Sequence, residues 1–164
     1  MKSNIVEERE GKKTIRVTPI RNGIVIDHIP AGRGMLVLEI LDLPGLTQGS
    51  VISAVMNVPS KKAERKDIIK IEDKMLEPQE LDIVSLIAPD ATINVIKNFE
   101  NVKKYTVHHP DTIKGIVRCE NPNCITNQKE PVKPSFNIES RDPLVLRCNY
   151  CERKLKDIAS HIIR

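Results

Sequence analysis

The feature that most restricts this chain is the placement of its cysteines. All four lie in the last third, as Cys119 and Cys124 in RCENPNC and Cys148 and Cys151 in RCNYC. The pattern is C-x4-C, 23 intervening residues, then C-x2-C. Each pair sits on a turn short enough to aim two sulfurs at one point, and two such turns complete a tetrahedron about one ion. Thiolates suit zinc, and paired cysteines in a cytosolic chain bind metal more often than they form disulfides. An iron centre or disulfides are the competing readings. Four protein sulfurs leave zinc no position for water or substrate, so such an ion is structural and its binding free energy largely becomes folding free energy.

The segment that carries these pairs is too short to bury a generous core, and modules of this size need a staple. Its strand candidates are Ile113–Arg118, Ser135–Glu139 and Leu144–Arg147. The longer segment upstream reads differently. Residues 1–13 are polar, lack the apolar core and cleavage site of a secretory signal, and are expected to form a flexible arm. Thr14–Ile20 and Gly23–Asp27 are rich in β-branched residues and read as strand, interrupted at Pro19 and at Arg21-Asn22. Pro30 suits the first turn of a helix whose apolar side chains are Met35, Leu36, Leu38 and Leu41, and the Leu43-Pro44-Gly45 run stops it. Gly32 and Gly34 weaken its first turn.

Strands follow at Ser50–Val58 and Asp67–Glu72, separated by the basic loop SKKAERK. A second helix is expected over Pro78–Ala88, with Leu81, Val84, Ile87 and Ala88 at helical spacing. Thr92–Phe99 and Val102–Val107 finish the half as strands. The order β-α-β-β-α-β is the split βαβ, ferredoxin-like arrangement, an antiparallel sheet with two helices on one face. The fold class is therefore α+β, with a small all-β zinc-binding domain after it. The expected domains are the arm over 1–13, the ferredoxin-like unit over 14–108, and the zinc domain over 109–164. HHPD at 108–111 is the joint, because Pro110 pushes His109 towards an extended conformation.

Composition removes several function classes. No run approaches the roughly 18 apolar residues of a membrane helix, so a cytoplasmic protein is expected. The net charge is +4, and the four aromatic residues are Phe99, Tyr105, Phe136 and Tyr150. Nucleic-acid binders need a larger basic excess and stacking platforms. Glu120, Asn121 and Asn123 in the first cysteine knuckle hydrogen-bond without gripping phosphate, which favours a protein partner. A zinc-ribbon nucleic-acid-binding protein is the alternative.

Asp27-His28 is the one catalytic temptation. Neighbours on a strand point to opposite faces, and neither a serine nor a free cysteine stands out as a nucleophile for them. A ligand-binding or surface role is the better reading. Lys66 and Lys70 are four apart on a predicted strand and share a face; Lys103-Lys104 belongs to another. Ammonium groups beside one carboxylate suit a nucleoside triphosphate, although lysine pairs are more commonly solvated surface. GRG at 32–34 matches neither common phosphate-loop fingerprint.

Four stretches, VIDHIPAGRG, RKDIIKIE, APDATINVIKNFE and the C-x4-C…CNYCE tail, together resemble the regulatory chain of aspartate carbamoyltransferase, in the same order and over most of residues 14–164. The resemblance implies a non-catalytic regulatory subunit in pyrimidine biosynthesis. Its ferredoxin-like domain would bind ATP or CTP, with UTP as a further effector, and its zinc domain would dock on the catalytic chain. Regulatory chains would also pair as dimers. Carried over residue by residue, the nucleotide pocket uses Val17, Thr18, Ile20, Val25, Asp27, His28, Lys66, Lys70, Asn94, Ile96, Phe99 and Lys104. Lys104 and His28 would lie near the phosphates, Asp27 and Lys70 around the ribose, and backbone groups of Ile20 and Phe99 at the base. One Zn2+ would sit on Cys119, Cys124, Cys148 and Cys151, and Asn121 and Asn123 would face the catalytic partner. Pro19 has no N–H to offer a ligand.

Overall fold

The computed structural model describes residues 18–41 and 49–163. The arm over 1–13, the first part of the Thr14–Ile20 strand, Val17 and the 43–45 stop lie outside the described residues. Thr18–Ile20 is not strand; Pro19 has no N–H to contribute to a ladder.

Five strands form the first sheet. They are β1 (Gly23–Pro30), β2 (Ile52–Pro59), β3 (Arg65–Glu72), β4 (Thr92–Lys97) and β5 (Glu100–Thr106), in the spatial order β2-β3-β1-β4-β5. All pairs are antiparallel. The first four strands have the ferredoxin-like order, and β5 extends the sheet by a hairpin on β4. Helices α1 (Gly34–Ile40) and α2 (Pro78–Ile87) supply the two crossovers.

Period-two alternation decides which face the helices cover. Ile24 lies opposite Ile71 and Val95, and Ile26 opposite Ile69 and Ile93, so six β-branched side chains stack in two rows. All six are buried, together with Val37, Ile40 and Leu41 at α1 and Val84, Ile87 and Ala88 at α2. Each such side chain contributes roughly 1.5–3 kcal/mol when fully buried. The α1 stripe differs from the expected one: Met35 is 65% exposed, and Leu36 and Leu38 are only partly buried. A helix of this length presents one short face, and Val37, Ile40 and Leu41 occupy it.

The start of α1 also differs. Pro30 ends β1 instead of opening the helix, because a buried carboxylate organises the loop between them. Asp67 on β3, fully buried, accepts the amides of Gly32 and Gly34 on Oδ2, both at 2.9 Å, and that of Asn57 on Oδ1 at 2.7 Å. Gly34 is required there, since a Cβ would meet the Met56 sulfur at 2.7 Å and the Asp67 carboxylate at 3.0 Å. Arg33 Nη1 donates to the Ile87 carbonyl at 2.7 Å and ties α1 to the end of α2. α2 begins at Pro78 with a capping box, the Glu77 amide donating to Glu80 Oε2 at 2.8 Å.

The tail forms a second antiparallel sheet. It contains β6 (Thr112–Lys114), β7 (Ser135–Arg141), β8 (Leu144–Cys148) and β9 (Lys154–Leu155) in that order. Its core is small: Ile113, Phe136, Leu146 and Leu155 are almost completely buried. The expected Ile113–Arg118 strand stops after Lys114 because Gly115 turns the chain at φ +71, its amide donating to the Pro134 carbonyl at 2.9 Å. Val117 then forms an isolated bridge with Ile162. At the joint, the Val107 amide donates to the Ala91 carbonyl at 2.9 Å, and Arg141 donates to the His109 carbonyl at 3.3 Å and to Asp111 at 3.1 Å. No helix among the described residues is long and apolar enough to cross a membrane.

Candidate functional site

The sheet face turned away from the helices is polar and organised by register. Lys70 lies opposite Val25, Val25 opposite Asn94, and Asn94 opposite Lys104. Four of the expected pocket residues thus form one row across β3, β1, β4 and β5. The alternation that buries Ile24, Ile26, Ile69, Ile71, Ile93 and Val95 places them on this face.

One end of the face is cationic. β1 bulges between Ile26 and Ile29, where His28 has φ +59. The bulge suspends strict alternation and brings Asp27 and His28 to the same neighbourhood. Asp27 Oδ1 accepts the His28 amide at 2.6 Å and Lys66 Nζ at 2.7 Å, and the His28 ring Nδ1 lies 3.7 Å from Asp27 Oδ2. Among the described residues, His28 Nδ1 is buried without a hydrogen-bond partner. Burial lowers the His28 pKa from its ordinary value; Asp27 opposes the shift, and Lys66, Lys62 and Lys104 add to it. Lys70 Nζ donates to the Thr18 carbonyl at 2.7 Å, and burial lowers its pKa.

The other end is apolar and held by a hairpin turn. Asn98 and Phe99 have φ +50 and +67, a backbone that a bulky aromatic rarely adopts. The Phe99 amide donates to the Arg21 carbonyl at 2.9 Å and the Asn98 amide to Asn22 Oδ1 at 3.1 Å, which fixes the turn against the segment before β1. Phe99 is 64% exposed, Ile20 is buried, and Ile96 is half-buried on the same face as Asn94. Thr18 is exposed.

Two residues that sequence reasoning passed over belong here, and a third, Asp67, lies on the opposite, helix-covered face with Ile69 and Ile71. Lys62, on the β2–β3 turn, acts on His28; the basic loop was visible, but not where its tip lands. Asn101 donates from Nδ2 to Asn94 Oδ1 at 2.7 Å. The two-residue turn at Asn98-Phe99 would have placed it opposite Ile96. Asp67 carries no sequence signal of burial, because its partners are backbone amides.

The second site is the cysteine cluster. The four Sγ atoms all lie within 4.8 Å of one another, with Cys119 and Cys151 at 3.5 Å and Cys124 and Cys148 at 3.8 Å. No pair is bonded as a disulfide. Metal–sulfur bonds of about 2.3 Å in a tetrahedron space the sulfurs by about 3.8 Å, so the donors fit one four-thiolate ion. Thr126 Oγ1 donates to Cys124 Sγ at 3.2 Å. Burial pushes the Cys119 and Cys148 thiols up. At Cys151, burial is outweighed by hydrogen bonds from the Arg153 amide and the Asn121 side chain and by those shared with Cys119 and Cys148, and the pKa falls to about 7. Asn121 is a structural member of the knuckle: its Oδ1 accepts the Asn123 amide at 3.0 Å and its carbonyl accepts the Cys124 amide at 3.0 Å. Asn123 is exposed.

Two family models match the chain, the allosteric domain of the aspartate carbamoyltransferase regulatory chain over residues 15–108 and its metal binding domain over 111–160. Regulatory chains of that enzyme are similar throughout. The Pyrococcus abyssi chain is 50% identical over 143 residues, covering 87% of this chain and 93% of that one. The Methanothrix thermoacetophila chain is 46% identical over 153 residues, 93% and 99% respectively. For Thermoplasma volcanium the values are 51% over 146 residues, 89% and 95%. With an allosteric half, a metal-binding half and relatives that share both, the chain belongs to the family of aspartate carbamoyltransferase regulatory chains, the non-catalytic subunits of that enzyme.

Proposed function

We propose that the open face of the first sheet binds the nucleoside triphosphates ATP and CTP, with UTP as a further ligand. The four cysteines would hold one structural Zn2+, and the tail would dock on the catalytic chain of aspartate carbamoyltransferase. In this reading the chain is a cytoplasmic regulator of pyrimidine biosynthesis, and regulatory chains pair as dimers. The domain limits are the sequence-based ones, 14–108 for the nucleotide domain and 109–164 for the zinc domain.

The observation that carries the reading is the row Lys70, Val25, Asn94 and Lys104, with the Asp27–Lys66 pair two residues further along β1 from Val25. His28, Lys66 and Lys104 serve the phosphates, and Asp27 and Lys70 serve the ribose. Ile20, Ile96 and Phe99 receive the base, with Val17, Thr18, Val25 and Asn94 lining the space between. The Phe99 amide is already committed to Arg21, so its carbonyl is the group that can accept from an amino-bearing base.

Zinc is favoured by the all-thiolate donor set and the tetrahedral spacing. Its role is to fold the tail, whose own core is small. Asn121 and Asn123 would both face the catalytic chain, with Asn121 also shaping the knuckle.

Nucleotide acts only by binding one state of the assembly more tightly than another. Coupling of about 1–3 kcal/mol is usual, and it appears equally in nucleotide affinity. The Arg141 contacts to His109 and Asp111 hold the joint through which the two halves communicate. Calorimetry of the full chain with ATP and CTP, compared with Lys104→Ala, tests the pocket. Loss of a charge-assisted phosphate contact should weaken binding roughly 10- to 100-fold; unaltered affinity would overturn the assignment.

A further inference from the structure

We infer that the cleft where the two halves of the chain meet is a binding site for a small monocarboxylate with an apolar body. None of its residues belongs to the nucleotide face or to the cysteine cluster.

Both halves supply its walls. Leu36 on α1 and Leu86 and Ile87 on α2 line one side, and Pro143 and Leu144 at the β7–β8 turn and Ile158 line the other. Leu86, Ile87 and Ile158 are buried, and Leu36 and Leu144 partly so. Ligand sites favour such places, which are concave, apolar, at a domain junction and furnished with a few converging polar groups. The cleft has a volume of about 360 Å3, room for roughly a dozen non-hydrogen atoms at about 30 Å3 each.

The polar groups at its mouth select an anion. They are Arg33, Lys156 and one carboxylate, Asp157. Arg33 Nη1 donates to the Ile87 carbonyl at 2.7 Å, which pins the guanidinium at the end of α2. A guanidinium carries five N–H donors in a planar fork that matches a carboxylate. No other acceptor meets that of Arg33 among the described residues, and Lys156 Nζ has no partner among them either. Asp157 is engaged by its own loop, its Oδ1 accepting the Ser160 amide at 3.5 Å. Two cations against one occupied carboxylate leave the rim positive. An inorganic anion would satisfy the rim and leave the apolar walls bare, and a neutral hydrocarbon would do the reverse. A single carboxylate on an apolar body satisfies both. Such a ligand binds only the docked arrangement of the two halves and therefore stabilises it.

Methyl NMR of the full, metal-loaded chain with phenylbutyrate as the probe tests the site. The methyls of Leu36, Leu86, Ile87, Leu144 and Ile158 should shift saturably, with a dissociation constant of about 0.1–3 mM. Phenylbutyramide, of the same size without the charge, should bind roughly tenfold more weakly. Arg33→Gln keeps a donor for the Ile87 carbonyl but not the charge, and should cut the preference for acid over amide at least about threefold. Lys156→Met, on an exposed side chain, should cut it about twofold and reads the same ratio should Arg33→Gln unfold. Equal affinity for acid and amide, or a preference that neither substitution changes, overturns the inference. Absence of saturation, or shifts confined to Val25 and Ile96 on the open sheet face, overturns it equally, and the nucleotide and metal sites stand in every case.

Discussion

Asp67→Asn tests whether one buried carboxylate organises the start of α1. Asp67 accepts three backbone amides, two on Oδ2 and one on Oδ1. Asparagine is almost isosteric, so packing is preserved and only the acceptors change. Its single oxygen keeps two amides by taking the Oδ2 position, and its NH2 then meets the Asn57 N–H. A buried donor without an acceptor costs about 1–3 kcal/mol, and the two surviving bonds each lose about 1 kcal/mol of charge assistance. Easier burial of a neutral group offsets part of this, which leaves a net loss of about 2–4 kcal/mol. For a chain of this size the melting temperature should fall by about 5–15 °C. Urea unfolding measures the loss directly. Amide exchange should accelerate at Gly32, Gly34 and Asn57 before it does at Ile24 and Ile71, and the rate of metal release should not change. A loss under about 1 kcal/mol, with exchange at those three amides unaltered, would refute the argument.

Two further outcomes follow from the tail and the joint. Cys148→Ser removes one corner of the sulfur tetrahedron, so the variant should hold less than one metal ion per chain by chelator titration and lose the tail's near-UV signal. It should also fail to co-purify with catalytic chains; normal assembly would count against the docking reading. His109 is held below its ordinary pKa by burial, with Arg141 and His108 adding to the effect and Asp90 opposing it, and its Nδ1 is buried without a partner among the described residues. The unfolded chain therefore takes up this proton first, so stability present above pH of about 6.5 is lost as pH falls towards the folded value. His109→Gln should show a shallower decline in unfolding free energy from pH of about 6.5 downward than the parent chain, and equal slopes there would refute the assignment.

How far the fold was legible depended on the kind of signal. Period-two runs such as GIVID and TINVIK mark their strands because one face must be buried, and α2 begins at Pro78 as its spacing and proline indicate. The α1 start was misread because Gly32 and Gly34 look like weak helix formers, whereas their amides are the groups that Asp67 needs. Asp27 and His28 were separated by alternation, which fails at a bulge. The Phe99 turn was read as strand, since nothing local shows that Arg21 and Asn22 will hold it at positive φ.

The sequence by itself determined the α+β order, the two-part division and the four-sulfur cluster, because periodicity and cysteine spacing act over a few residues of chain. Tertiary structure alone decided which lysines meet. Lys70, Asn94 and Lys104 lie far apart along the chain and become neighbours only through pairing register. Burial of the isoleucine rows against the helices sets that register, since a slip of one residue would turn every isoleucine outward and every lysine inward.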